Sequence, residues 1–180
     1  MAGRGLATLC SALCSKPGFI LLPPLPQDKP LLYAARRGDY TTVVTLLRCG
    51  ADTEAKTAGL GLRPLHVAAA GGRVGVVQAL VQSRAKLEAR DSCGARPLHY
   101  AAQCGSVNVI RTLLAAGARV DCTSASGDTP AHWATRYGMA AAAVALVQAG
   151  APMEARNKEG KTPLDVAAPE VRWAMLCVHP

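Results

Sequence analysis

The chain repeats one pattern of apolar and polar positions with a period of 33 residues. Prolines at positions 64, 97, 130 and 163 each open a short apolar run, and Gly72, Gly105 and Gly138 lie eight residues after the first three. Four residues after each glycine comes an apolar pair: Val76-Val77, Val109-Ile110 and Ala142-Ala143. Such a fixed period indicates a solenoid, in which each repeat packs only on its neighbours.

Each repeat contains two short runs with helical spacing. In the first repeat, Pro30 opens a run that ends at Gly38, and apolar residues at Val43 and Leu47 lead to Gly50. Proline suits the first position of a helix because its missing N–H would have no partner there. Glycine can take the left-handed conformation that ends a helix. The pattern therefore predicts an all-α solenoid of stacked helix-turn-helix units with protruding loops.

The period also gives the domain boundaries. Residues 1–28 lie outside the pattern and are expected to form a flexible N-terminal tail. The short apolar run from Phe19 to Leu22 is followed by prolines and no cleavage site, which disfavours a secretory signal. Residues 29–178 form the repeat domain, with repeats at about 29–56, 57–90, 91–123 and 124–156 and a partial one at 157–178.

The last repeat is shortened by Pro169. We expect one or two further helical turns, from Val171 to Cys177, to close the stack. A cap this short would leave apolar side chains uncovered, and Trp173 and Met175 are expected to be exposed.

Composition narrows the class of protein. Half of the residues are apolar but only 4% are aromatic, so alanine and leucine must build the core. The net charge of +8 favours acidic partners weakly, and nucleic acid is not expected because no run of five Lys or Arg occurs. Seven irregularly spaced cysteines favour a reducing compartment, cytoplasmic or nuclear. The sequence contains no stretch of 18 apolar residues, so no membrane span is predicted.

Candidate chemistry is sparse. Nucleophile-elbow, phosphate-loop and metalloprotease motifs are absent, so no enzyme is predicted, with no catalytic residue and no cofactor. His66, His99 and His132 recur at the repeat period, which predicts a structural ladder whose ring nitrogens tie neighbouring loops. Cys93 and Cys122 share a repeat with His99 but lack the short ligand spacings of a zinc site, so no metal is expected.

Three segments carry a family resemblance: GDTPAHWA at 127–134, RPLHYAA at 96–102 and LLAAGA at 113–118. In these the chain resembles the ankyrin repeat family, over about residues 29 to 178. The resemblance implies a non-enzymatic protein-protein interaction module or adaptor, acting on another protein as a monomer. Two alternatives remain: a substrate-recognition adaptor of a ubiquitin ligase, and a regulator of transcription that binds acidic partners or nucleic acid.

The family binds partners through its loop tips and the inner face of its first helices. Carried over by position, this set contains Arg36, Arg37, Leu60, Leu62, Gln103, Asp128, Arg136, Tyr137, Lys158 and Lys161. The two leucines either contact a partner or pack on the adjacent loop. The arginines either meet an acidic partner surface or belong to an ordinary solvated face.

The chain also departs from the family pattern. Arg63 and Arg96 stand where the family has a threonine, so these helices lose a hydroxyl N-cap that stabilises by about 1 kcal/mol. Arg84 stands where other repeats have glycine, and a left-handed arginine costs about 1–2 kcal/mol. Acidic residues replace the usual asparagine that is hydroxylated in some members, namely Glu54, Glu88, Asp121 and Glu154.

Overall fold

The computed structural model describes residues 30–177, and this part of the chain is helical without strands. The predicted tail of residues 1–28 lies outside the described residues. Between Pro30 and Cys177 no helix combines the length and apolar content that crossing a bilayer requires. The helices are α1 (Pro30–Arg37), α2 (Tyr40–Arg48), α3 (Pro64–Ala70), α4 (Val74–Gln82), α5 (Pro97–Cys104), α6 (Val107–Ala115), α7 (Pro130–Arg136), α8 (Ala140–Gln148) and α9 (Pro169–Leu176).

The helices form two parallel rows. The first helices of the repeats, α1, α3, α5 and α7, pack side by side in what we call the inner row. The second helices, α2, α4, α6 and α8, form the outer row, and α9 packs on α8 at its end. This arrangement confirms the predicted all-α solenoid of helix pairs.

The core lies between the two rows. Small side chains such as Ala68 and Ala101 are fully buried in the inner row, where they let neighbouring helices approach closely. The outer row supplies larger side chains, including Leu80, Ile110 and Leu113. Burying one such side chain stabilises by about 1.5–3 kcal/mol. Since each helix pair buries its apolar face only against the next pair, the repeats must stack.

The fifth repeat has turns where the others have a first helix. Asp165 takes the histidine position, and its carboxylate accepts hydrogen bonds from the Thr162 amide at 2.8 Å and hydroxyl at 2.9 Å. Pro169 forces Ala168 into an extended conformation, with φ −61° and ψ 153°, so the run stops after one turn. The chain instead begins α9 at Pro169.

The cap helix α9 buries one face and exposes the other. Trp173 is 72% exposed, as expected, but the expected exposure of Met175 is wrong, because that side chain is only 1% exposed. Val171 and Met175 are four residues apart and therefore share the helix face that packs on α8.

The predicted left-handed arginine is present. Arg84 has φ 60° and is the single non-glycine residue with positive φ among residues 30–177. Gly50, Gly117 and Gly150, at the same repeat position, have φ between 79° and 99°. The turn after each outer helix therefore requires this conformation, and arginine adopts it at a cost that glycine avoids.

Candidate partner-binding surface

The repeated histidines join each first helix to the next loop. Each Nδ1 accepts a hydrogen bond from the amide three residues earlier, which leaves the proton on Nε2. Each Nε2–H then donates to a carbonyl 29 residues later, in the following repeat. The acceptors are Ala95 for His66 at 3.2 Å, Asp128 for His99 at 3.0 Å and Lys161 for His132 at 2.9 Å.

Burial keeps these histidines neutral. It lowers the pKa of His66 and of His132 below the ordinary value, and it lowers the pKa of His99 to about 4. A neutral ring can accept at Nδ1 while donating at Nε2, which an imidazolium cannot. The histidines therefore act as structural ties at neutral pH, as the repeat pattern predicts.

The loops between repeats make one continuous edge. We call residues 56–63, 90–96, 123–129 and 156–162 the finger loops. Single backbone hydrogen bonds join their tips: Ser92 N–H to Leu60 O at 2.9 Å, Ala125 N–H to Cys93 O at 2.9 Å and Lys158 N–H to Ser126 O at 3.0 Å. Side chains at these tips are thereby held in a row.

Arginine replaces the threonine cap by linking the preceding repeat to the start of the next finger loop. The Nε of Arg63 lies 2.9 Å from Glu54 in the preceding repeat, and its Nη1 donates to the Arg90 carbonyl at 2.9 Å. Glu54 also accepts the Lys86 amide at 3.0 Å. The Nε–H is not aligned on the carboxylate oxygen, so this contact is an ion pair rather than a directed hydrogen bond.

The next interface repeats this arrangement. The Nε of Arg96 lies 2.8 Å from Glu88, and its Nη1 donates to the Thr123 carbonyl at 3.2 Å. Glu88 accepts the Arg119 amide at 3.0 Å. Glu54 and Glu88, which replace the family's asparagine, thus serve as inter-repeat acceptors in the first two repeats.

The fourth repeat uses a buried carboxylate instead. Asp128 is 3% exposed and accepts two hydrogen bonds from Arg136, at 2.9 and 3.1 Å. It also accepts from the Asn157 side-chain amide and the Ser126 hydroxyl, both at 2.8 Å. Burial alone would raise the pKa of Asp128, but these hydrogen bonds outweigh it and hold that pKa below its usual range. Asp128 therefore acts inside the protein and positions Arg136.

Aromatic rings form a row beside this network. Tyr100 and Trp133 are buried edge-to-face with centroids 5.5 Å apart, and Tyr137 packs on Trp133 at 6.4 Å. Tyr137 is half-buried at the end of α7. The indole N–H of Trp133 is buried and has no acceptor within the described residues. The row gives Tyr137 a rigid backing on the inner face.

The predicted site residues fall into two groups. Arg136 and Tyr137 end α7, and Lys158 and Lys161 are exposed in the adjacent finger loop. Arg36 and Arg37 end α1, three inner helices away, which is roughly 25 Å at 8–10 Å per helix pair. Gln103 lies half-buried in α5, between the two groups.

The two loop leucines differ in environment. Leu62 packs with Leu32, Ala55 and Val67, so this side chain contributes to the framework. Leu60 is half-buried at the finger tip, where its carbonyl accepts the Ser92 amide. Of the two alternatives, packing within the protein therefore describes Leu62.

Two structural residues escaped the sequence analysis. Trp133 anchors the aromatic row, and its signal is the residue after the repeated histidine, which is aromatic in Tyr100 and Trp133. Asn157 reaches Asp128 across 29 residues of sequence, and no local pattern marks that contact.

The structure offers no obvious place for a metal within residues 30–177, where no three His, Cys, Asp or Glu side chains gather. Cys122 Sγ lies 3.8 Å from His99 Nδ1. Burial raises the pKa of Cys122 to about 11, so the sulfur carries its proton at neutral pH and is not the thiolate that binds metals.

Comparison with known proteins agrees with the repeat architecture. The family model for three copies of ankyrin repeats matches residues 31–124, and the model for a single ankyrin repeat matches residues 126–158. No curated protein matches the chain. These matches cover most of the chain, in register with the helix pairs described above, and the chain belongs to the ankyrin repeat family.

Proposed function

We propose that this protein is a non-enzymatic interaction module or adaptor that binds another protein through its inner row and finger loops. Ankyrin repeats are generally protein-protein interaction modules. The observation that carries the proposal is the pairing of Tyr137 and Arg136 at the end of α7, on a rigid aromatic and hydrogen-bonded support.

Tyrosine and arginine are among the residue types enriched in binding hot spots. Tyr137 offers an amphipathic ring whose backing by Trp133 limits the entropy lost on binding. The centre of the contact is therefore assigned to the α7 end of the inner row.

The proposed partner presents acidic side chains around this centre. Lys158 is exposed in the finger loop next to α7, and the net charge is +8. Complementary charge at the rim of an interface raises the association rate more than the affinity. Salt should therefore slow association without abolishing the complex.

The test is affinity capture from cell lysate with matched surface variants. The inner variant is Tyr137→Ala/Lys158→Ala, which keeps the Arg136–Asp128 pair, and the control is Arg111→Ala/Gln148→Ala, which changes exposed residues of the outer row. All proteins are first checked for equal thermal unfolding. We expect a protein that the wild type and the control retain and the inner variant loses.

Retention by all three proteins would place the binding surface elsewhere and contradict the proposal. The captured protein also separates the alternatives, since a ligase subunit would support a ubiquitin-ligase adaptor. A nucleic-acid partner would show affinity that falls steeply with salt, because bound counterions are released. We further propose a location in the cytoplasm or nucleus, supported by the odd and irregular cysteine pattern.

A further inference from the structure

The first inner helix exposes a face that the other inner helices use for stacking. Tyr33 occupies the same repeat position as Tyr100 and Trp133. Tyr100 packs back on His66 of the preceding repeat with ring centroids 5.7 Å apart, and Trp133 packs back on His99 at 5.3 Å. Both are at most 7% exposed, whereas Tyr33, with no described repeat before it, is 39% exposed.

The other residues on this face of α1 also have equivalents in α5. On α5 the face turned to the preceding repeat includes Tyr100, Ala101 and Cys104, and the Cys104 thiol donates to the Ala69 carbonyl of α3 at 3.3 Å. The corresponding residues of α1 are Tyr33, Ala34 and Arg37, which with Pro30 form what we call the α1 stripe. This stripe borders a cleft of about 300 Å³ that Asp39 and Thr42 close on the α2 side.

The chemistry of the cleft suits apolar side chains. Pro30 and Tyr33 line it, together with Ala34, which is only 3% exposed and lies at its floor. Arg37 lies across the rim, where its Nη1 donates to the Tyr33 hydroxyl at 3.0 Å and its guanidinium carbon is 5.7 Å from the ring centroid. An occupant would thus bury apolar side chains below a polar edge.

One segment of this chain fits that description. Residues 19–22 are Phe-Ile-Leu-Leu, an apolar run that contains the single phenylalanine of the chain. Seven residues, 23–29, separate this run from Pro30, and a chain of seven residues can span at most about 24 Å. The eight residues of α1 span only about 12 Å, so the run can reach the whole stripe.

We infer that residues 19–22 dock on the α1 stripe and take the place of a preceding repeat. A short tether gives an effective concentration of about millimolar, so a small contact suffices. A second copy has no tether, and a stable interface of that kind needs about 800 Å² from each partner. The stripe and its cleft are small for that, which favours the chain's own segment.

Hydrogen exchange of the full chain tests this assignment. In the variant Phe19→Ser/Leu21→Ser, the amides of α1 should exchange at least about tenfold faster, because the helix loses its apolar cover. The amides of α7 should not change. The control Leu6→Ser/Leu9→Ser makes the same chemical change outside the run and should leave α1 unaffected.

A site-side variant completes the test. In Tyr33→Ser the exchange of α1 should no longer respond to Phe19→Ser/Leu21→Ser, since both changes remove the same contact. Equal α1 exchange in the wild type and in Phe19→Ser/Leu21→Ser would overturn the inference. Protection of α1 that rises with protein concentration would also overturn it, because a second copy would then cover the stripe.

Discussion

The first two inter-repeat junctions and the last one are built from different chemistry at the same repeat positions. Between the first and third repeats, Arg63 and Arg96 bridge to partly exposed glutamates and to loop carbonyls. Between the fourth and fifth repeats, Thr129 provides a hydroxyl cap, and buried Asp128 gathers Arg136 and Asn157. The histidine tie is common to both regions.

The comparison shows that the repeat fold needs a cross-repeat link at the N-cap but does not prescribe its type. Ion pairs between partly exposed side chains stabilise by about 0–1 kcal/mol and weaken with salt. A buried carboxylate with several donors is more sensitive, because removing it leaves those donors unsatisfied. The two regions should therefore respond differently to mutation and to ionic strength.

The largest expected effect comes from removing the buried carboxylate. Asp128→Ala should lower the free energy of unfolding by about 3 kcal/mol, because the donors of Arg136, Asn157 and Ser126 lose their acceptor. Urea unfolding measures the change. The matched control Asp121→Ala removes an exposed pair with Arg119 and should cost under about 0.5 kcal/mol. Equal losses in the two variants would contradict the comparison.

Acid should weaken the inter-repeat histidine hydrogen bonds that both regions share. The pKa of His99 is about 4 in the folded protein and about 6.5 when unfolded, so the unfolded state binds a proton first as the pH falls. The stability due to neutral His99 is complete above about pH 6.5 and is lost as the pH falls towards 4, with about 2 kcal/mol gone at pH 5.

The measurement is urea unfolding at pH 7 and pH 5 for the wild type and His99→Gln. The difference between the two pH values should be about 2 kcal/mol smaller in the variant. Carboxylates with lowered pKa values, such as Asp128, stabilise fully above about pH 4 and lose that contribution only below it, so the change between pH 7 and pH 5 comes from the histidines. Identical pH dependence in both proteins would show that His99 does not titrate as described.

Salt should separate the two regions. Glu88→Gln removes the charge that faces Arg96 and should lower the free energy of unfolding by about 1 kcal/mol at low ionic strength. The loss should shrink in 1 M salt, because the pair is partly exposed and screened. The cost of Asp128→Ala should stay nearly constant over the same range. A salt-independent cost of Glu88→Gln would refute the ion-pair account.

The smallest effect should be a gain in stability within the N-terminal region. Arg84→Gly removes a left-handed arginine with φ 60° and should stabilise by about 1 kcal/mol. For a domain of this size that raises the thermal midpoint by about 3 °C. Arg84→Ala removes the same charge but keeps a β-carbon in the left-handed backbone conformation, so the thermal midpoint of this variant should not rise. A comparable rise in both variants would assign the effect to charge.

Much of the fold follows from periodicity. The positions of Pro64, Pro97 and Pro130 predict where the inner helices begin, and the helices of the structure begin there. The left-handed Arg84 and the exposed Trp173 also follow from local rules. Met175 does not, because its burial depends on which face of α9 meets α8, and that contact is not encoded in the spacing of one short helix.

The candidate surface was less predictable. The sequence places Arg136 and Tyr137 on the inner face. Asp128 is in the same predicted set, but its carboxylate accepts hydrogen bonds from within the protein. Asn157 takes part through a contact with a residue 29 positions earlier. Only the stacking of adjacent finger loops brings these atoms within hydrogen-bonding distance.

The sequence alone determined the repeat length, the helix pairs, the family and the residues that carry structural strain, because each depends on interactions within one repeat or on exact recurrence between repeats. The tertiary structure decided which charged side chains pair with one another inside the protein, which face of the cap helix is buried and which aromatic rings support Tyr137. These depend on the distance and angle between neighbouring repeats, and packing sets both.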